Sequence, residues 1–123
     1  MQTISLHSLP SFSKKPQLQK LNNLVKISSS LMAHQIAAAT GCGIDESLAV
    51  LLLLLRLSVV EGFLLVYHNT HLEDNPPAMA RDIFDGLPPL PFNCDICQKE
   101  VADSAELSYD FLFKLIDEIH FVE

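Results

Sequence analysis

Cysteine, glycine and basic side chains are all scarce in this sequence. Three cysteines in 123 residues are few, and odd in number, so they do not make a disulfide framework. A reducing, cytoplasmic setting suits them better. There is no glycine-rich phosphate loop among only four glycines. Eight Lys and Arg stand against fifteen Asp and Glu, a formal net charge of −7, so nucleic acid is not an obvious partner. Long apolar runs are missing too. The best candidate for a membrane span, Leu48–Tyr67, contains Arg56 and Glu61 and is broken at Gly62. Its unbroken part, Leu48–Leu55, suits a buried helix. The first 13 residues lack the charged start and apolar stretch of a secretory signal. They read as a loose arm, or one that orders on contact.

What remains is apolar: 49% of the residues are hydrophobic, enough for a core burying about two-thirds of the surface the unfolded chain exposes. That excludes a disordered tail, and the length excludes a two-domain cofactor enzyme. Charge is unevenly placed. Residues 1–40 carry Lys14, Lys15, Lys20 and Lys26 and no acid, while all the acids follow. This basic third either closes onto the acidic remainder or meets phosphate or an acidic partner.

Three helices and a strand are expected between Pro16 and Tyr67. Pro16 suits a first helical turn, and Leu18, Leu21, Leu24 and Val25 fall on one face. Ser28–Ser30 ends that helix. A short second helix spans Leu31–Thr40, and Gly41-Cys42-Gly43 forms a tight turn. Cys42 reads as a small buried residue. Asp45 is expected to cap a third helix running to about Glu61, with Gly62 as its C′ residue. Phe63–Tyr67 is short and β-prone.

This stretch resembles the winged helix-turn-helix superfamily. His34-Gln35-Ile36-Ala37-Ala38-Ala39-Thr40-Gly41 corresponds to the second helix and turn, Leu48–Leu57 to the third helix, and Val59–Leu64 to the start of the wing. The resemblance implies an α+β fold, and DNA binding through the third helix. The residues argue against that activity. At 100° per residue, Leu48, Leu51, Leu52, Leu55 and Val59 cluster as an expected core face. The opposite side carries Glu46, Val50, Leu53, Leu54, Leu57 and Glu61. It has nothing to read a base edge or hold a phosphate. Val50, Leu53, Leu54 and Leu57 are therefore expected either to meet the chain's own later residues or to contact another protein or a second copy.

The strongest chemical signal comes next. His68-Asn69-Thr70-His71 is an H-x-x-H and Cys94-Asp95-Ile96-Cys97 a C-x-x-C. Each pair follows an apolar, strand-like stretch. A two-residue gap lets both side chains of a pair face one centre, so two such turns supply a tetrahedron, as in a zinc ribbon. Mixed nitrogen and sulfur donors suit zinc. The expectation is one structural Zn²⁺ per chain on His68, His71, Cys94 and Cys97. The alternatives are surface histidines beside a chance cysteine pair, or a redox C-x-x-C. Between the pairs, Asp85–Pro91 reads as a stiff approach to the second knuckle rather than a polyproline ligand. Glu106–Phe113 reads as a strand running into a short helix.

These readings define an arm at 1–15, a winged-helix core at 16–67 and a zinc-ribbon-like element at 68–123. No nucleophile–base motif accompanies His7, His34 or His120, so catalysis is not expected. The expected function is a non-catalytic adaptor or regulatory module. By fold analogy alone, such acidic modules look like those of larger bacterial assemblies. The alternative is a DNA-binding regulator using Lys14, Lys15, Lys20 and Lys26.

Overall fold

A computed structural model describes residues 2–6, 8–12, 14–69 and 76–123. The protein is mixed α+β. Three helices, α1 (Lys15–Ile27), α2 (Ala33–Thr40) and α3 (Ile44–Arg56), accompany eight described strands. These are β1 (Gln2–Ser5), β2 (Ser30–Leu31), β3 (Val60–His68), β4 (Met79–Asp82), β5 (Phe92–Asn93), β6 (Glu100–Val101), β7 (Leu107–Leu115) and β8 (Ile119–Val122). One sheet has the order β2-β7-β3-β4, and two further pairs are β1-β8 and β5-β6. The chain divides into two compact units, Met1–Glu61 with Phe113–Glu123, and Gly62–Leu112.

In the first unit, α1 begins with Pro16 in its first turn, as expected, and buries Leu21, Asn22 and Val25. It packs on α2 and on β8, and α2 packs on α3. Asn22 is the polar member of that buried face. Its amide accepts from the Phe121 N–H at 2.7 Å and donates to the Phe121 carbonyl at 3.0 Å. The side chain thus does for β8 what a neighbouring strand would do.

The glycine turn after α2 forms as the sequence suggests. Gly41 takes φ +78° and its N–H returns to the Ala37 carbonyl. Only glycine enters that left-handed region without steric cost. Cys42 is half-buried rather than buried, with its Sγ 3.0 Å from Thr40 Oγ1 and 3.1 Å from Ser47 Oγ.

α3 departs from expectation in three ways. Gly43, not Asp45, is its N-cap, and Asp45 and Glu46 lie in the first turn, where their charges meet the helix's positive end. The helix also stops early, and Gly62 lies inside β3. Ser58, at φ 59°, supplies the left-handed residue. The Ser58 N–H bonds to the Leu55 carbonyl and the Val59 N–H to the Leu54 carbonyl, the paired closure of a Schellman end.

The third departure is the buried face. Ser47, Val50, Leu51 and Leu54 point inward, and Leu52, expected in the core, is 47% exposed. Val50 and Leu54, expected on the second face, are fully buried within the chain itself and present nothing to a partner. Leu53 is half-buried and Leu57 exposed. With leucine at every position from 51 to 55, periodicity cannot choose between faces. The choice falls to the residues before the run, where the Ser47 hydroxyl donates to the Gly43 carbonyl and meets Cys42.

The two ends of the chain are strands. Gln2–Ser5 pairs in parallel with Ile119–Val122, and Ile4, Leu6 and Phe12 are buried, so this stretch is not a loose arm. Residues 107–122 form two strands where a strand and a helix were expected. The buried residues are Leu107 and Phe113 along β7, then Ile119 and Phe121 along β8. Phe113 and Lys114 pair with Leu31 and Ser30, so the last eleven residues belong with the first unit rather than with the ribbon-like element.

The second unit has its own small core of Leu64, Val66, Ala78, Cys94, Val101 and Leu107. β4 pairs antiparallel with β3, Phe63 facing Asp82 and Val66 facing Met79. β5 and β6 form a short hairpin, Phe92 against Val101 and Asn93 against Glu100. Among the described residues, no helix is long and apolar enough to cross a membrane.

Candidate metal centre

The site is built from the end of one strand and the tip of one hairpin. Along β3 burial alternates strictly, with Gly62, Leu64, Val66 and His68 inward. A period of two therefore carries the aliphatic face one step further and delivers an imidazole to the interior. His68 is only 2% exposed.

The hairpin supplies sulfur. Cys94–Cys97 forms the turn that closes β5 onto β6. The Cys94 N–H donates to the Lys99 carbonyl at 2.9 Å, and the Gln98 N–H returns to the Cys94 carbonyl at 2.8 Å. Gln98 takes φ 61° to make this possible. The turn folds both thiols to one side. Cys94 is fully buried in the core of the unit and Cys97 half-buried, and neither is in a disulfide.

The two elements converge. Cys97 Sγ lies 3.3 Å from His68 Nδ1. One ligand atom each from His68, Cys94 and Cys97 lies within 4.8 Å of the other two. A tetrahedral zinc ion, with bonds of about 2.3 Å to sulfur and 2.0 Å to nitrogen, needs donor separations of about 3.5–3.8 Å. The observed spacing brackets that requirement, and a buried imidazole beside two thiols is the donor chemistry zinc prefers. Three of the four expected ligands are thus brought together. The fourth, His71, lies outside the described residues.

A further group went unnoticed in the sequence. Glu106 Oε1 is 3.9 Å from His68 Nε2. Glu106 is fixed by its other oxygen, which accepts the N–H groups of Ala102 and Asp103 at 3.2 Å each. Asp103 closes the same turn by accepting from the Ala105 N–H. The signal was present as Asp103-x-x-Glu106, the spacing of a capping box. Asn69 ties the end of β3 to this turn by donating to the Ala105 carbonyl, and it accepts from the Ser108 hydroxyl at 2.6 Å.

The remaining candidates are dispersed. Lys14, Lys15, Lys20 and Lys26 are exposed at the start of α1 and along it. At helical spacing Lys15 and Lys26 lie about 20° apart and Lys20 about 120–140° from both, so they form no single basic stripe.

Comparison with known protein families, with curated proteins and with solved structures finds no match to this chain.

Proposed function

We propose that this chain is a non-catalytic protein-interaction module, an adaptor or regulatory subunit built on a winged-helix scaffold that carries a zinc-ribbon-like excursion. The element order supports the scaffold: α1, β2, α2 and α3 precede β3 and β7, and β7 lies between β2 and β3 in the sheet. The donor set supports a structural zinc on His68, Cys94 and Cys97, and the H-x-x-H spacing makes His71 the proposed fourth ligand. When bound, the ion ties segments together and supplies folding energy, and four protein ligands leave no open position for catalysis.

The observation that carries the reading is the solvent face of α3. In a DNA-binding winged helix this surface reads bases and holds phosphates. Here it presents Asp45, Leu52 and Arg56, with Ile44 at its start and Leu57 at its end. Leu52 is opposite the buried residues, and Ile44, Leu52 and Leu57 are about half exposed, at 53%, 47% and 49%. A lone arginine at one end of the face and an acid at the other make a poor phosphate contact, whereas half-exposed aliphatic residues suit a protein partner. The proposed interaction surface is thus centred on Leu52, and of the four residues expected from sequence only Leu57 is exposed and Leu53 half-buried.

The test compares wild type with Leu52→Glu. Nuclease-treated affinity capture from the native host, or self-association in ultracentrifugation, should show a stoichiometric protein complex that the variant loses. The variant's melting temperature should stay within about 0.5 kcal/mol equivalent of wild type, because the site is exposed. Salt-sensitive DNA binding abolished by lysine replacement, with no protein complex, would overturn the proposal in favour of a DNA-binding regulator.

A further inference from the structure

We infer that Glu106 is the outer carboxylate of the metal centre, and that it selects Nδ1 of His68 as the ligating nitrogen by holding the proton on Nε2. The inference rests on the zinc reading above and goes one step beyond it, to a positioning residue and a tautomer.

The geometry is directional. His68 turns Nδ1 toward Cys97 Sγ, 3.3 Å away, and Nε2 toward Glu106 Oε1, 3.9 Å away. The ring therefore has a sulfur side and a carboxylate side. A neutral imidazole carries one proton, and the atom that keeps it cannot bind a metal through its lone pair. A carboxylate accepts and does not donate, so it favours the tautomer with the proton on Nε2. That leaves the lone pair on Nδ1, beside the two thiols.

Glu106 is preorganised for this task. Its Oε2 is held by two backbone N–H groups, those of Ala102 and Asp103, so Oε1 is the oxygen left toward His68. At 3.9 Å the contact is about an ångström longer than a hydrogen bond. A cation on Nδ1 would draw electron density from the ring and make Nε2–H a stronger donor, which favours closing that gap. Histidine ligands of metals commonly donate their second nitrogen to a carboxylate in this manner, and removing such a partner costs about 10–100-fold in affinity.

Glutamine is the informative replacement. If its carbonyl keeps the two loop N–H groups, its NH₂ faces Nε2 and offers a donor where an acceptor stood. That arrangement favours the opposite tautomer and opposes ligation through Nδ1.

The experiment measures zinc affinity by chelator competition and records long-range ¹H–¹⁵N spectra of the zinc-loaded full chain, with His68 assigned. Wild type should show Nδ1 metal-bound and Nε2 protonated. Glu106→Gln should bind zinc about 10–100-fold more weakly and lose the protected Nε2–H signal. Asp103→Ala loosens the same turn while sparing the carboxylate. It should lower the melting temperature but retain the Nε2–H signal and bind zinc within a few-fold of wild type. Ligation through Nε2, or wild-type affinity in Glu106→Gln, overturns this inference while the metal site stands. An equal loss of affinity in Asp103→Ala and Glu106→Gln, with the signal kept in both, reduces Glu106 to a loop-holding role and overturns it as well. Failure of wild type to bind zinc at all removes the metal reading, and the inference with it.

Discussion

Stripping zinc should unfold the second unit and leave the helices of the first in place. The perturbation is a strong chelator applied to wild type and to Cys97→Ser in parallel. Cys97 is the better target because it is only half-buried. Cys94 is fully buried in the core, and a serine hydroxyl there would cost about 1–3 kcal/mol whether or not metal is bound.

The size of the effect follows from what else holds that unit. Among the described residues its buried core has four full-sized aliphatic residues, Leu64, Val66, Val101 and Leu107, with Ala78 and Cys94, and Met79 and Phe92 pack against it partly buried. A core this small does not by itself stabilise a segment as long as residues 62–112. Zinc at 100 times its dissociation constant contributes about 2.7 kcal/mol, and at 1,000 times about 4.1 kcal/mol. For a small domain each kcal/mol moves the melting point by about 4–8 °C, so chelation should lower the unit's transition by roughly 10–30 °C. Hydrogen exchange locates the change. Amides of 62–68 and 92–101 should lose protection, while those of α1 and α3 keep it. Cys97→Ser should resemble chelated wild type and respond little to chelator. Wild type that contains no zinc, or that melts identically with and without chelator, would refute the reasoning.

Two further substitutions probe the first unit. Ser58→Gly should raise stability by about 0.5–1 kcal/mol in urea unfolding. Relief of about 1–2 kcal/mol at a left-handed position outweighs about 0.4–1 kcal/mol of added chain entropy, and Ser58→Val should have the opposite sign. Asn22→Ala should destabilise by about 2–4 kcal/mol, since it strips hydrogen bonds from both the N–H and the carbonyl of buried Phe121, and hydrogen exchange in β8 should rise accordingly.

Legibility from sequence varied with how local each signal was. The H-x-x-H and C-x-x-C pairs stand out because ligand geometry demands short spacing, and three of those four residues do meet. The turn at Gly41 was readable because a left-handed residue there calls for glycine. Ser58 adopts the same conformation without advertising it, so the helix end was placed at Gly62 instead. The inward face of α3 was hidden by its own composition, because five consecutive leucines satisfy every periodicity. Strand β1 was hidden differently. Ile4 and Leu6 sit in a serine-rich stretch, and their partner strand is at the other end of the chain, so no local pattern announces the pairing. The short helix expected after Phe113 does not form, since Leu112, Leu115, Ile116 and Ile119 match a helical spacing only across the bend between two strands. Glu106 escaped notice because its role depends on a distant histidine, although the local spacing to Asp103 was there to be seen.

The position of the candidate metal centre along the chain gives a physical reason for a metal there. β3 and β7 are neighbours in the sheet, yet the chain between them runs from residue 69 to 106. Neighbouring strands are ordinarily joined by two to five residues, so this is an excursion rather than a turn. Closing a long loop costs only logarithmically more than closing a short one. Ordering it is the real expense, and its own structure is slight. β4 has four residues, β5 and β6 two each, and a two-stranded hairpin of that size does not hold itself together in water. The donors fall where a tie is most effective. His68 marks the start of the excursion, Cys94 and Cys97 its hairpin tip, and Glu106 its last residue. One ion at that junction would fix three remote points at once, which a handful of aliphatic contacts spread along the same chain cannot do.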